Sequence, residues 1–386
     1  AADAGSLGKL RQRALSPSLW LDDLVAAVEQ GDVPHELQAD VERVVEILLS
    51  WIEEDRKATP LKALQGMVWE QGYQAGQLKG HVYPDAVEAL QRYLNEPDSS
   101  AKGLNIRNAW QAGVQGRGVR VHFSDGGLYA NHEDLRGNPR LKVIPPTVDS
   151  EPDHGTASVG VLLAHDNGLG MTGICHAAEL FLYDNRAYDA RGYSQTLKKL
   201  LAYARAGDIV GVNRQTANVN VLGTFLPSLH DRTWWDVTRS LSQRGAVVLN
   251  AACNGTSEAD DSAGTTAGYG VDLEQWRYFD DHGDADAILV GACHSWDGKP
   301  HQYSNYNYRY RMLNGWGDSV ATLGYGALQD KNGHDRDYTS TYGGTSSATP
   351  MVTGALALIQ SYAIEQHHLY LNADQMHLLV MQSGYK

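Results

Sequence analysis

Apolar and polar positions follow two different periods along this chain, and the change between them divides it. Over roughly the first 95 residues, apolar side chains recur every three to four positions, which is typical of amphipathic helices. Thr59 followed by Pro60 has the composition of a further helix start. The pattern predicts a small all-helical domain over 1–95. Its clearest apolar face consists of Val41, Val44, Val45, Leu48, Leu49 and Ile52.

The segment 96–103 has the turn-forming composition of a linker, and the pattern changes beyond it. Short apolar runs such as GVRVHFS, AELFLYD, AVVLNAA and AILVGA alternate with helix-like segments near 193–205, 232–244 and 347–363. This alternation predicts an α/β domain over 104–386, with a mostly parallel sheet flanked by helices on both faces. In such sheets, chemistry is expected at the carboxyl ends of the strands.

Composition narrows the partners of the protein. Apolar residues make up 42% of the 386 positions and charged residues 20%, as in ordinary globular proteins. A net charge of −14 argues against nucleic acid and against anionic membrane surfaces, and no apolar run approaches a membrane span of about 20 residues. The spacing of Cys175, Cys253 and Cys293 fits no zinc pattern, so we expect buried free thiols.

The stretch GGTSSATPMVTGALALIQ, from Gly343 to Gln360, contains the strongest candidate nucleophile. Small residues lead into Ser346, and an apolar run predicts a buried helix behind it. A helix N-terminus would place free N–H groups beside the serine hydroxyl. We expect Pro350 within the first turn of this helix, where its missing N–H costs little. A buried helix with a small-residue entry is the alternative.

Three other turns carry groups that a nucleophilic serine requires. Asp125 follows the strand GVRVHFS, His154 opens the helix-like DHGTASVGVLLA, and Asn254 follows the strand VVLNAAC. An acid, a base and an amide donor at such positions could orient an imidazole, accept a proton and stabilise an oxyanion. Each alone is an ordinary turn aspartate, structural histidine or turn asparagine. Histidines that compete for the base role are His132, His165, His176, His282 and His294.

Together the motifs FSDGG, HGTASVG, AACNG and GTSSATP resemble the subtilisin-like serine proteases, from about residue 104 to the end of the sequence. The segments WQAGVQGRGVRV and NHEDLRGN are similar to those of the kexin-like group. The resemblance implies a serine endopeptidase acting on peptides or proteins, with Ser346 as nucleophile, His154 as base and Asp125 as orienting acid. Asn254 and the Ser346 N–H would form the oxyanion hole.

The segments that would hold the substrate depart from the family pattern. The glycine that the family usually has before the oxyanion asparagine is Cys253 here, next to Ala252 in the same pocket wall. The substrate-binding strand, usually ending in SxG, is expected at Leu222 and Gly223 within NVLGTF, where a peptide could pair by strand addition. These departures leave cleavage specificity open.

No cofactor is required for this chemistry, although the resemblance implies a structural calcium ion. Asp134 in NHEDL and Asn167 in AHDNGLG match positions of a calcium site in the family. Carbonyl groups near Leu169 and Met171 would complete its oxygen ligands. An ordinary aspartate and a turn asparagine are the alternative.

The N-terminal region resembles a different family. Asp40 to Leu90 is similar to the helical cap of the enolase-phosphatases of the haloacid dehalogenase superfamily. The aspartate nucleophile motif of that family does not precede Asp40, so the resemblance implies a helical fold without phosphatase activity. We expect this domain to serve in docking or dimerisation, with an inhibitory pro-region as the alternative.

Two other functions and the compartment stay open from the sequence. A transferase or macrocyclase would use the same residues with an amine in place of water, and a catalytically silent binding module would keep only the fold. The sequence begins AADAGSLGK, without methionine or an apolar leader. The resemblance slightly favours a secreted or periplasmic protein after processing, and a cytoplasmic one is the alternative.

Overall fold

The structure is a computed structural model of the chain. It describes residues 90–145, 152–185, 190–217, 224–256, 269–275, 282–307, 311–330 and 333–383. The chain divides into two compact units, Ala1–Gly80 and His81–Lys386, and every described residue belongs to the second. The predicted helical domain over 1–95 therefore lies almost entirely outside the described residues, and its docking, dimerisation and pro-region hypotheses stay predictions.

The first described residues already pack into the core of the second unit. Arg92–Leu94 form a 3₁₀ turn in which Tyr93 and Leu94 are fully buried. The Tyr93 hydroxyl donates to the carbonyl of Ala321, 3.1 Å away. The second unit thus begins ahead of the predicted linker at 96–103, because these side chains complete its core.

The described strands form one large sheet and two small ones. In chain order they are β1 (Arg120–Asp125), β2 (Leu141–Ile144), β3 (Glu179–Asp184), β4 (Ile209–Val212), β5 (Gln215–Ala217), β6 (Thr224–Pro227), β7 (Val247–Ala251), β8 (Gly255–Thr256), β9 (Ile288–Cys293), β10 (Met312–Trp316), β11 (Val320–Leu323) and β12 (Tyr338–Tyr342). Seven of them make a sheet in the order β10-β9-β7-β4-β1-β3-β2, and all of its pairings are parallel. The predicted parallel α/β sheet is confirmed.

Helices cover both faces of this sheet. They are α1 (Ile106–Gln111), α2 (Asp153–Leu163), α3 (Ala190–Tyr203), α4 (Arg232–Gln243), α5 (Gly344–His367) and α6 (Ala373–Ser383). The alternation of side chains along β3 separates two cores. Leu180 and Leu182 join the core shared with α2 and α5, whereas Phe181 and Tyr183 join the core shared with α3 and α4. None of the described helices has the length and apolar content that a membrane span requires.

The strand order places a crevice between β1 and β4. From β1 the chain builds β2 and β3 on one side of the sheet, then continues with β4, β7, β9 and β10 on the other. The connections leaving β1 and β4 therefore diverge, which opens a crevice at their carboxyl ends. Asp125 is the last residue of β1, and Asn213 directly follows β4. The topology thus indicates where the functional site lies.

Candidate active site

The structure brings the predicted acid and base together. His154 is the second residue of α2, and its Nδ1 lies 2.5 Å from Asp125 Oδ1 at the end of β1. The carboxylate is 1% exposed and the imidazole 28% exposed. The imidazole is therefore accessible from a cleft, whereas the carboxylate behind it is shielded from solvent. Gly155 allows this approach, since a Cβ there would lie 2.0 Å from the Gly127 carbonyl oxygen.

The buried Asp125 carboxylate is held as an anion. The Gly126 N–H donates to its Oδ1 at 2.6 Å, and the Asn213 amide donates to its Oδ2 at 2.9 Å. Burial by itself would raise the pKa of this carboxyl. The His154 charge and the hydrogen bonds that Asp125 accepts outweigh burial and hold its pKa below the usual value. Asp125 is therefore suited to orient an imidazole and to stabilise its protonated form.

Ser346 lies at the third position of α5, behind a tight glycine turn. Gly344 has φ +77°, a left-handed conformation that favours glycine, and its N–H donates to the Gly317 carbonyl at 2.8 Å. The Ser346 N–H is one of the first four amides of the helix, which have no acceptor within the helix. The sequence-based expectation of a serine at a helix entrance is borne out by these bounds.

The expected place of Pro350 in the first turn is wrong, because α5 begins at Gly344 and Pro350 is its seventh residue. A proline there cannot donate to the carbonyl four residues earlier, which belongs to Ser346. That carbonyl instead accepts from Asn213 Nδ2 at 3.0 Å and from the Tyr342 hydroxyl at 2.9 Å. Burial, and then the Asp125 charge, raise the pKa of Tyr342, so its hydroxyl stays a donor.

Asn213 consequently joins the acid to the nucleophile's backbone. Its Nδ2 lies within hydrogen-bond distance of both Asp125 Oδ2 and the Ser346 carbonyl, and its exposed fraction is 6%. Ser158 Oγ lies 3.2 Å from the same nitrogen and 2.8 Å from the Tyr342 hydroxyl. The site therefore rests on a buried polar network that fixes α2, α5 and the end of β4 relative to one another.

Asn254 faces the nucleophile turn with a defined amide orientation. Its Oδ1 accepts from the Thr345 N–H at 2.9 Å and from the Thr345 hydroxyl at 3.0 Å. Two donors on the oxygen assign that atom and leave Nδ2 as the donor of this amide. A Cβ on Gly344 would lie 3.1 Å from Nδ2, so the glycine also keeps the space beside the amide open.

Cys253, where the family usually has glycine, adopts a backbone conformation that favours glycine. Cys253 has φ +73°, in the left-handed region that glycine adopts without strain. Its side chain is 1% exposed, and its Sγ lies 3.4 Å from the Ala251 carbonyl. Burial raises the pKa of this thiol, which disfavours the reactive thiolate. Cys175 and Cys293 are likewise unpaired and buried, as predicted.

These groups open into one cleft of about 900 Å³. Among its described lining residues, His154 is the single histidine, and Ala251 and Cys253 form part of its wall. The predicted wall residue Ala252 is fully buried behind them. The predicted strand residues Leu222 and Gly223 lie outside the described residues. The lining comprises Asp125, Gly126, His154, Asn185, Asn213, Arg214, Gln215, Phe225, Ala251, Cys253, Asn254, Tyr325, Ala327, Thr339, Thr341, Tyr342, Gly343, Thr345 and Ser346.

Sequence reasoning missed Asn213, Arg214 and Gln215 in this lining. The run DIVGVNRQ carries the signal that could have found them: an apolar strand ending in polar residues, as at Asp125. Gln215 begins β5, which is an edge strand of the three-stranded sheet β5-β6-β8. An edge strand beside a cleft is a place where an extended peptide can pair.

The predicted calcium ligands meet in a second cluster, but as a hydrogen-bonded carboxylate. Asp134 accepts from the Met171 N–H at 2.8 Å and shares the Tyr338 hydroxyl, 3.1 Å away, with Glu133 Oε1 at 2.9 Å. Asn167 presents Nδ2 to Asp134 Oδ1 at 3.3 Å, while its own oxygen accepts from the Leu169 N–H. Burial raises the pKa of Asp134 to about 7. Donors occupy the positions where a cation needs oxygen ligands, so calcium could bind here only by displacing them, and calcium binding stays a prediction.

A parallel α/β fold with a buried Asp–His pair and a serine at a helix entrance is an arrangement that occurs in serine hydrolases. A model of the subtilase family matches residues 116–384, and the chain belongs to this family.

Two solved structures share the fold. A serine protease of Aeromonas sobria has a TM-score of 0.57 and 22% identity, covering 80% of this chain and 58% of its own. A lanthipeptide protease has a TM-score of 0.54 and 18% identity, covering 78% of this chain and 89% of its own. At these identities the likeness shows the fold alone.

The predicted resemblance of the N-terminal region is also confirmed. An enolase-phosphatase E1 of Pseudomonas fluorescens is 92% identical over 59 residues, which are 15% of this chain. The chain spans about a quarter of that relative, since the match covers 26% of its length. The similarity therefore concerns a short piece of the relative and not a whole phosphatase.

Proposed function

We propose that this protein is a serine endopeptidase that hydrolyses peptide bonds through an acyl-enzyme. The observation that carries the proposal is the 2.5 Å contact between His154 Nδ1 and Asp125 Oδ1, in the cleft that Ser346 also lines. An acid bonded to Nδ1 fixes the neutral tautomer of the ring in which Nε2 is the basic nitrogen. Nε2 is then the atom that takes the serine proton.

In this mechanism, Ser346 Oγ attacks the carbonyl carbon of the scissile bond and its proton passes to His154 Nε2. The developing oxyanion accepts from Asn254 Nδ2 and from the Ser346 N–H. The C–N bond then breaks as the imidazolium gives its proton to the leaving amine. Water hydrolyses the resulting ester by the reverse sequence, while Asp125 stays ionised throughout.

The substrate would lie extended along β5, with its reacting carbonyl between Asn254 and Ser346. Main-chain pairing at this edge would supply affinity that is independent of side chains. Among the described lining residues, Asp125 is the single carboxylate, and His154 and Asn213 already occupy it. Lysine or arginine side chains of a substrate would find no unpaired carboxylate there, so we expect cleavage after neutral residues.

An active-serine probe tests the proposal directly. A fluorophosphonate should label wild-type protein at Ser346, as located by peptide mass spectrometry, and Ser346→Ala should abolish both labelling and hydrolysis of a peptide library. Ser340→Ala is a matched control, because Ser340 lies on β12 and does not line the cleft. Hydrolysis that survives Ser346→Ala would refute the assignment. Library products ending mainly in lysine or arginine would refute the preference for neutral residues.

A further inference from the structure

A second cluster of ionisable side chains lies at the carboxyl ends of β9 and β10. The two strands pair in parallel with Cys293 opposite Trp316, so His294 and Asp318 emerge side by side just beyond them. The loop after His294 turns back, and the His301 N–H donates to the Ala292 carbonyl at 2.9 Å. The fold thus brings two imidazoles and one carboxylate together at an edge of the sheet.

The three ligand atoms are within reach of one ion. Asp318 Oδ2 lies 2.5 Å from His301 Nε2 and 3.5 Å from His294 Nδ1, and all three atoms lie within 4.8 Å of one another. The Ser295 N–H lies 3.3 Å from both carboxylate oxygens. Side-chain exposures of 12% to 27% leave the cluster accessible to a small ion from solvent.

An ion pair between His301 and Asp318 does not explain why His294 lies beside them. His294 Nδ1 is buried and makes no hydrogen bond among the described residues, although Asp318 Oδ2 lies 3.5 Å away. A buried polar nitrogen without a partner is unfavourable unless something else satisfies it. In the tautomer protonated at Nε2, this nitrogen presents a lone pair toward the carboxylate, which is the arrangement of a metal ligand.

Aromatic rings hold both imidazoles in place. The ring of Trp296 stacks on His294 with centroids 4.3 Å apart, and the ring of Tyr303 stacks on His301 at 4.7 Å. The two imidazole centroids are themselves 3.8 Å apart. This stacking already restricts rotation of the two imidazole rings. They would therefore lose little conformational freedom when an ion binds, and the cluster is preorganised.

We propose that His294, His301 and Asp318 bind one divalent transition cation, with zinc as the preferred ion. Two imidazoles and a carboxylate suit zinc better than calcium or magnesium, which prefer oxygen ligands. Tetrahedral ligands about 2.1 Å from zinc lie about 3.4 Å apart. The His294–Asp318 separation already matches this value, and the His301–Asp318 pair would open by about 0.9 Å. Water would take the fourth position.

The site would brace the turn that carries the candidate nucleophile. Asp318 directly follows Gly317, whose carbonyl accepts from the Gly344 N–H at 2.8 Å. The carbonyl of Trp316, one residue earlier, accepts from the Ser347 hydroxyl at 2.7 Å. A cation held by Asp318 would therefore immobilise the segment on which the start of α5 rests.

Cobalt and zinc titrations of the 386-residue protein test the proposal. Co²⁺ should give the visible absorption of a tetrahedral site at one ion per chain, and Zn²⁺ should displace it. His294→Gln should weaken binding at least about tenfold while keeping the His301–Asp318 pair. His334→Gln is the matched control, since His334 also stacks on a tyrosine and lies 2.8 Å from an aspartate, yet should leave binding unchanged.

Hydrogen exchange provides a second measurement that needs no catalytic activity. Zn²⁺ should slow exchange of the peptide containing Gly344 in wild type and not in His294→Gln. Cobalt binding that persists unweakened in His294→Gln, or that is lost in His154→Ala, would place the ion elsewhere and overturn the proposal. Binding at the cluster without any change in exchange would overturn the bracing role alone.

Discussion

Asn213 offers the sharpest test of how the candidate site is held together. Asn213→Ala removes the donor 2.9 Å from Asp125 Oδ2 and the donor 3.0 Å from the Ser346 carbonyl. The first loss leaves a buried carboxylate, 1% exposed, with fewer donors. The second leaves the carbonyl with the Tyr342 hydroxyl as its remaining partner in the network. The substitution adds no steric bulk and changes no group that would contact the reacting atoms.

The magnitude follows from the charge on Asp125. A hydrogen bond to a charged group contributes about 1.5–3 kcal/mol. If that interaction supports the imidazolium formed in the transition state, its loss lowers the rate of acylation by about 10- to 150-fold. We expect the loss in kcat, with KM nearly unchanged, because Asn213 acts through Asp125 and the nucleophile's backbone. Folding stability should also fall by about 1–3 kcal/mol.

The assay compares the rate of fluorophosphonate labelling, kcat and the denaturation midpoint in two variants. Asn138→Ala is the control, because Asn138 is also 6% exposed and donates to the Leu163 carbonyl, outside the cleft lining. It should lose stability without losing labelling rate. Equal labelling rates in Asn213→Ala and wild type, alongside a loss of stability like that of the control, would refute a positioning role.

A double variant separates the two hydrogen bonds of Asn213. Pro350→Ala restores an N–H that can donate to the Ser346 carbonyl as an ordinary helical bond. Combined with Asn213→Ala, it should recover the part of the loss that comes from that carbonyl and leave the part that comes from Asp125. Full recovery of the rate would mean that the bond to Asp125 contributes nothing.

Three further outcomes follow from other parts of the fold. Burial lowers the pKa of His230 to about 4, against about 6.5 in the unfolded chain. Between pH 4 and 6.5 the unfolded chain therefore binds a proton on this histidine that the folded protein does not. Stability should therefore fall by up to about 3 kcal/mol as pH drops from 6.5 to 4, and His230→Gln should flatten urea-denaturation free energies over that window. Asp231 caps α4 by accepting from two backbone N–H groups, so Asp231→Ala should lower stability by about 1 kcal/mol while Asp231→Asn keeps most of it. Calcium, if it displaces the donors around Asp134, should raise the melting temperature of wild type and not of Asp134→Asn; equal shifts in both would exclude this site.

The parts of the site that the sequence predicts are those with local signals. Asp125 ends an apolar strand, and His154 and Ser346 open helices, so each is marked by the residues next to it. Parallel strands bring such strand ends to one edge of the sheet, and the resemblance to the subtilisin-like proteases assigned the four separate turns to one centre. The structure agrees with this part because turn residues beside an apolar run mark a strand or helix end to within a few residues.

The network behind these residues has no comparable signal. Asn213 lies 88 residues from Asp125 and 133 from Ser346 in the chain. Their contact depends on β4 pairing with β1 and on α5 packing against β4, and one sequence does not reveal that arrangement. The expectation that Pro350 lies in the first turn of α5 was wrong for a similar reason. The cost of a proline depends on where the helix begins and on which groups donate to the freed Ser346 carbonyl, and neither is visible in the sequence next to Pro350.

At Cys253 the sequence and the backbone conformation together predict a stability order of glycine and alanine that is the reverse of the usual one. At ordinary positions, alanine is more stable than glycine by about 0.4–1 kcal/mol, because glycine gains more freedom on unfolding. Cys253 has φ +73°, where any side chain costs about 1–2 kcal/mol. Both Cys253→Gly and Cys253→Ala lose the packing of the buried thiol, but only the glycine variant relieves this strain. Cys253→Gly should therefore equal or exceed Cys253→Ala in urea-denaturation free energy. An alanine variant more stable by the full ordinary difference would show that the backbone is unstrained here, and that the family's glycine at this position has another cause.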